Sequence, residues 1–535
     1  MIDRMRLQNP ALRHRQCLRR LIATSVAVVI AAGAPLSAVA QNRFGGIDNL
    51  PALGEASVDE LSPAAEQRLG DQIYQEFLRM GVIHDDPETT DYLSRQAFRL
   101  LGAAASLGHT EAGRPFKFFL VKDPTLNAFA LPGGYIGVHT GLITASPRES
   151  EVMSVVAHEI GHVTQRHIAR MFGQQRQSSA VMIAAALLAA MAARSSPDAA
   201  MGLLSLGQTV AVRDQMSFSR DAEREADRVG LQILAESGFD PAGMPAMFER
   251  LSQAGRLYDN NAPAYLRSHP LSTERVADIQ GRLQNDPNLR SPKPVQGGGP
   301  ESLQFSWLRA KLSTLADTRV DGLRTASQRF TAQLNQPENT NAGARGPIHY
   351  GLAWAAIAQR DFNLAATQMD LAEGSAKAVG GQAVLAPLLT HQRLRAAMAA
   401  NDSQTAARLV TEIAQQFPNQ RALVRASLEA QLLFGFPADP AAEAARAASQ
   451  QWPQDPQVWA LLGQSEAARG KRAAQHAAVA EQYAISGAYA AAVEQLTIAR
   501  AAGDADFITL SKIDARLTAM RSALRREQLE RQQGR

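Results

Sequence analysis

Apolar residues recur at helical spacing through most of this chain and at strand spacing only briefly. Residues 63–80 and 89–107 read as amphipathic helices, with Leu69, Ile73, Phe77 and Leu78 marking one apolar face of the first. Phe116 to Val121 is a short apolar run of strand character. Asn127 to His139 contains a Pro-Gly-Gly turn at 132–134, followed by Tyr135-Ile136-Gly137-Val138 as a further strand. A helix is predicted to start at Ser146 and Glu149, which together form a capping box with Pro147 in the first turn, and to run to about Arg170. Another covers roughly 219–236 and ends at Gly238. Residues 180–193 and 200–212 are apolar runs separated by Ser195-Ser196-Pro197-Asp198. They predict two short helices that serve either as core or as a lid or patch touching a membrane or an unfolded substrate.

Residues 286–302, with Pro287, Pro292, Pro294, Gly297 to Gly299 and Pro300, have the composition of a linker. From 303 to 535 the chain is Ala-rich and helical. Phe417-Pro418 and Trp452-Pro453 recur 35 residues apart, each closing a helical stretch. Trp459, Leu462 and Gly463 fit the opening of a tetratricopeptide helix, and Gly487, Tyr489 and Ala492 fit a later repeat position. The expected fold is therefore mainly α. An α+β domain with a small sheet spans 63–285, and an all-α, tetratricopeptide-like repeat domain follows the linker. The low aromatic share of 6% agrees with helices packed through small residues.

Charge changes the picture at one place. The formal net charge is +4, but residues 1–40 hold six Arg and one Asp, so the remainder stands at −1. The basic character belongs to a segment that reads as a secretory signal. Arg13 to Arg20 are charged, Leu21 to Pro35 are mostly apolar, and Ser37-Ala38-Val39-Ala40 has small residues at the cleavage positions, which predicts cutting before Gln41. Residues 41–62 would then be an extended N-terminal arm. No nucleic-acid partner is expected from the charge. The single cysteine, Cys17, falls within the removed segment, so neither a disulfide nor a thiolate metal site is expected after cleavage.

The chemistry concentrates in His158-Glu159-Ile160-Gly161-His162. Residues four apart share a helix face, so both imidazoles can meet one ion, while Val152, Val156, Ile160 and Val163 form a stripe on the other side. Neutral imidazole suits Zn²⁺, and two His with one carboxylate leave a position for water, with Glu159 placed to take its proton. The carboxylate must come from elsewhere. On the helix over 219–236, Glu223, Asp227, Gly230 and Leu234 fall on one face, and Gly230 permits close approach. Glu223 is thus the candidate third ligand and Asp227 the acceptor that orients a ligand histidine. His167 leaves the shared face and is expected as a polar surface residue, as is Glu225.

These residues resemble the gluzincin metalloprotease family of the CAAX prenyl protease and HtpX type. The likeness rests on His158-Glu159-x-x-His162 with Glu223-x-x-x-Asp227, on Asn127-Ala128-Phe129-Ala130-Leu131-Pro132-Gly133-Gly134, and on Ser268-His269-Pro270-Leu271 with Arg275. Signal, protease domain and repeats together resemble the family's periplasmic branch. The resemblance implies a zinc endopeptidase with one Zn²⁺ per chain, exported to the Gram-negative periplasm. It implies that Arg275 faces the oxyanion. It implies that His269 either does so too or serves as a regulatory fourth zinc ligand. The strand at Asn127, Ala128 and Phe129 would pair with an extended substrate. Implied substrates are unfolded or misassembled outer-membrane proteins. Implied partners are the outer-membrane assembly machinery and lipopolysaccharide-export proteins, reached through the repeats. The alternative is a chaperone or assembly factor working through its repeats with the zinc site usually silent.

Overall fold

The computed structural model describes residues 61–110, 114–173, 219–256, 264–291, 293 and 301–533. The expected signal segment, the arm up to residue 60 and the apolar runs at 180–193 and 200–212 lie outside the described residues.

Two helices open the described chain, α1 (Pro63–Arg79) and α2 (Pro87–Ser106). Each has proline in its first turn and a capping side chain, Ser62 for α1 and Asp86 for α2, that accepts from a backbone N–H. A three-stranded sheet follows, with β1 (Lys117–Val121), β2 (Ala128–Leu131) and β3 (Tyr135–His139) in the order β1-β3-β2. β1 runs parallel to β3, and β2 runs antiparallel to it. The turn between β2 and β3 depends on Gly133 and Gly134, both at positive φ, where a side chain would be strained. β2 pairs on one side only among the described residues, so it forms an edge.

After α3 (Thr140–Ala145) comes α4 (Glu149–Thr164), which carries the His-Glu-x-x-His motif. Nearly all of α4 is buried. It packs against α6 (Arg220–Glu236), and two glycines let the helices touch. A Cβ on Gly161 would lie 3.0 Å from the Ala226 carbonyl oxygen, and one on Gly230 would lie 3.0 Å from the His158 nitrogen. Two features of α4 differ from the sequence expectation. The capping box does not form. Arg148 occupies the cap without a side-chain bond, and Ser146 Oγ donates to the Leu142 carbonyl instead. The cap comes from 150 residues away. The Glu301 carboxylate accepts from the Glu149 N–H at 2.6 Å and from the Ser150 hydroxyl at 2.6 Å. Glu149 turns inward to accept from Tyr92 and from the Ser302 N–H. Its burial lifts its pKa to about 7. The second difference is that α4 stops at Thr164. Arg166 adopts the left-handed region at φ 54°, and a separate short helix, α5 (His167–Gly173), leaves in a new direction.

Helices α7 (Gly243–Arg256), α8 (Ala264–Ser268) and α9 (Thr273–Asn285) complete the first part. From α10 (Leu303–Leu315) onward the chain is helical to the last described residue. The described residues between 61 and 520 form one compact unit. The core does not divide at the linker. Val152, Val156 and Leu234 belong to the same hydrophobic cluster as Phe305, Trp307, Leu308 and Trp354. Buried and half-buried ion pairs reinforce this contact. Lys311 donates to Asp86 at 2.9 Å and Glu88 at 2.8 Å, and Arg421 and Arg425 reach Asp91 and Asp85. Burial opposes charge on Asp86, but Lys311 outweighs it and holds the carboxyl well below its ordinary range. Among the described residues no helix is long and apolar enough to cross a membrane.

Candidate metal centre

The α4 and α6 contact places four side chains around one point. His158, His162, Glu223 and His269 are all buried, with one ligand atom from each within 4.8 Å of the others. His158 and His162 lie one turn apart on α4, and their Nε2 atoms are 3.0 Å apart. Glu223 comes from the first turn of α6, with Oε1 3.3 Å from His162 Nε2 and Oε2 3.6 Å from His158 Nε2. His269 follows α8 and brings Nδ1 to 2.9 Å from Glu223 Oε1 and 3.4 Å from His158 Nε2. A tetrahedral Zn²⁺ with ligands at about 2.0–2.1 Å has donor atoms roughly 3.4 Å apart, so the spacing fits the ion.

For His162 and Glu223 the protonation states fit as well. Burial lowers the His162 pKa well below its usual value, which keeps the imidazole neutral. Burial opposes charge on Glu223. The neighbouring His269, His162 and His158 prevail, and the carboxyl is held far below the ordinary range. Burial likewise opposes charge on His269, but the Glu223 and Glu159 carboxylates beside it raise its pKa. Neutral His162 beside ionised Glu223 is the state that metal ligation requires, whereas the carboxylates around His269 favour its charged form. Glu159 is wholly buried, and neither of its oxygens has a hydrogen-bond partner among the described residues. His269 Nε2 is the nearby cation-forming group, 3.5 Å from Glu159 Oε1. A carboxylate left in that condition is costly unless it serves a ligand.

The outer contacts differ on the two sides. His158 Nδ1 lies 2.9 Å from Asp227 Oδ1. Asp227 is gripped in turn by Arg275, whose Nε and Nη2 donate at 2.6 Å and 2.8 Å. Arg275 Nη1 lies 2.7 Å from Glu223 Oε2 and donates to the Pro270 carbonyl at 2.7 Å. The guanidinium thus holds the two carboxylates and the turn after His269. His269 is steadied by the ring of Tyr265, stacked at 4.6 Å, and by its N–H, which donates to the Tyr265 carbonyl at 2.8 Å.

His167 is not the surface residue that helical spacing predicts. It is 3% exposed, its Nδ1 is 2.9 Å from His162 Nδ1, and its Nε2 is 3.0 Å from Glu225 Oε2. The reason is the kink at Arg166. A continuous helix would carry position 167 away from 162, whereas the left-handed residue swings it back. Glu225 is half-buried and is held by His167 and Arg170 rather than by solvent alone. The one sequence signal available was the histidine itself, five residues past His162.

On the expected substrate strand, Ala128 faces the cluster that contains α4, while Phe129 packs the other way with Phe77 and Phe119. Asn127 is tied back to His139 through its side chain and its carbonyl. What this strand offers is main chain, not side chains.

Comparison with known proteins agrees with this geometry. Residues 87–283 match the description "Peptidase family M48". The chain is 30% identical over 517 residues to the beta-barrel assembly-enhancing protease of Escherichia coli (strain K12), an alignment covering 95% of this chain and 97% of the relative. It is 30% identical over 516 residues to the protein of that name from Yersinia pestis, covering 94% and 98%. Metalloprotease LoiP of Escherichia coli is 32% identical over 231 residues, covering 42% of this chain and 83% of that protein.

Proposed function

The chain belongs to peptidase family M48 and is a zinc metalloendopeptidase, and from that premise we propose that His158, His162 and Glu223 hold one Zn²⁺ and that Glu159 is the general base. The observation that carries this is the convergence of three buried ligand side chains on one point, with a buried carboxylate that has no hydrogen-bond partner among the described residues one residue from the first.

When bound, zinc supplies an acidified water and polarises the scissile carbonyl. Glu159 takes a proton from that water and returns it to the leaving amine. Asp227 fixes the ring of His158, and Arg275 positions Asp227 and Glu223. The free edge of β2 receives an extended polypeptide by main-chain pairing, which reads no side chain and suits unfolded substrates.

His269 is a resting fourth ligand. Its Nδ1 sits among the donors, and a four-ligand zinc is closed to water. A usually silent site also favours the second reading, an assembly factor that works mainly through its repeats. The name of the relatives, beta-barrel assembly-enhancing protease, supports outer-membrane protein assembly as the setting. We place the chain in the periplasm after cleavage before Gln41, with the tetratricopeptide-like region 303–535 recruiting misassembled outer-membrane proteins or their assembly machinery.

Glu159→Gln is expected to retain one zinc per chain while casein cleavage falls by about 10²–10⁴-fold. Cleavage at the wild-type rate by the zinc-loaded variant sinks the assignment. His269→Ala is expected to raise casein cleavage; a hundredfold fall would assign His269 to the reaction instead of the gate.

A further inference from the structure

We propose that the Glu225–His167 pair is a positioning device for ligand His162, setting both its ring plane and the nitrogen that carries its proton. The inference rests on the zinc reading above and goes beyond its ligand set.

The argument is a count of protons along a row of atoms. His162 presents Nε2 to the donor cluster, so its proton resides on Nδ1. That Nδ1 faces His167 Nδ1 at 2.9 Å, and two N–H groups cannot face each other at that distance. His167 Nδ1 must therefore accept, which puts the proton of His167 on Nε2. There it finds Glu225 Oε2 at 3.0 Å, an acceptor only. Each of these protons then meets an acceptor, and the carboxylate at the end of the row selects the arrangement. Replacing any member by a group of opposite polarity turns the last nitrogen of His162 the wrong way.

The backbone supports the same conclusion. His167 reaches His162 only because Arg166 sits at φ 54°, a conformation that costs a non-glycine residue energy. Arg166 Nη2 donates to the Leu61 carbonyl at 2.7 Å and lies 3.8 Å from Glu66. A strained residue anchored through its guanidinium, four residues past His162, delivers a buried imidazole to the nitrogen of His162 that faces away from the donor cluster. The other ligand histidine has a carboxylate, Asp227, against its Nδ1 directly. The centre thus uses a direct carboxylate on one side and a relayed one on the other. Such outer partners alter metal affinity by about 10–100-fold when removed.

The test is zinc affinity of the full chain, measured by competition with a chromophoric chelator, with circular dichroism confirming the fold. His167→Phe keeps ring volume but has no acceptor, and its affinity is expected to fall about 10–100-fold. His167→Asn places Oδ1 where Nδ1 stood and is expected to recover most of that loss. Wild-type affinity in His167→Phe overturns the proposal. Equal losses in the Phe and Asn variants also overturn it, since packing alone would then explain them. Should His167→Phe not fold, Glu225→Ala carries the same test: a measurable fall supports the relay, and unchanged affinity overturns it. A wild-type chain that binds no zinc at all sinks the metal reading itself, which the other outcomes leave standing.

Discussion

The α4–α6 pair and the helical arm beyond residue 303 are both helix packed on helix, but they are made of different material. Between α4 and α6 the backbones meet through Gly161 and Gly230, and the buried faces carry His158, Glu159, His162, Glu223 and Asp227. Away from the ion pairs of Lys311 and Arg425, many contacts in the arm are methyl groups, among them Ala441, Ala445, Ala473, Ala480, Ala492 and Ala499, with leucines between them. Buried charge holds only where every partner is in place, whereas a row of methyls tolerates exchange. The centre is therefore specified residue by residue. The arm is specified by pattern.

The sharpest way to break the contrast is Arg275→Met. It strands Asp227 and Glu223 in the interior, and a loss of about 3–5 kcal/mol in a urea melt is expected, as for breaking a buried pair. A loss below about 1 kcal/mol would show that the charges at the centre are as replaceable as the arm's methyls. A smaller effect comes from putting one substitution in both places. Gly230→Ala forces a methyl against the His158 backbone and should cost about 1–3 kcal/mol, more than the roughly 1 kcal/mol gained in helix propensity. Gly463→Ala meets Val479 Cγ2 at 3.1 Å, a side chain that can turn aside, so its melt should stay within about 0.5 kcal/mol or rise. A further effect is in pH. Glu149 titrates near 7 in the folded chain, against about 4.3 when unfolded. The folded state binds more protons in that window, so this group makes stability fall as pH rises from about 4.3 to 7. Glu149→Gln removes that slope. Urea midpoints of the two proteins should diverge between pH 5 and pH 8, with the wild type losing ground.

The same contrast explains what could be read in advance. The motif on α4, the acids of α6 and the small-residue contact at Gly230 follow from helical periodicity, and helices α1, α2 and α6 form close to their predicted bounds. Periodicity also misplaced His167 and Glu225, because it assumes that a helix continues and cannot see one left-handed residue at Arg166. The capping box at Ser146 and Glu149 failed for a related reason. Local chemistry offered one solution, and a carboxylate distant in sequence supplied a better one. Arg275 was legible as an important cation but not as one already occupied by two acids, since its partners lie 48 and 52 residues back.

Glu301 lies past the proline-rich stretch, in what composition assigns to a tether, yet it supplies the acceptor that the first turn of α4 lacks. Cutting the chain at residue 300 would leave that turn with open N–H groups, at a cost of about 0.5–2 kcal/mol. The peptidase half is thus not a module that can be lifted out by its apparent boundary. Anything that pulls on the start of the arm pulls first on the helix that bears His158.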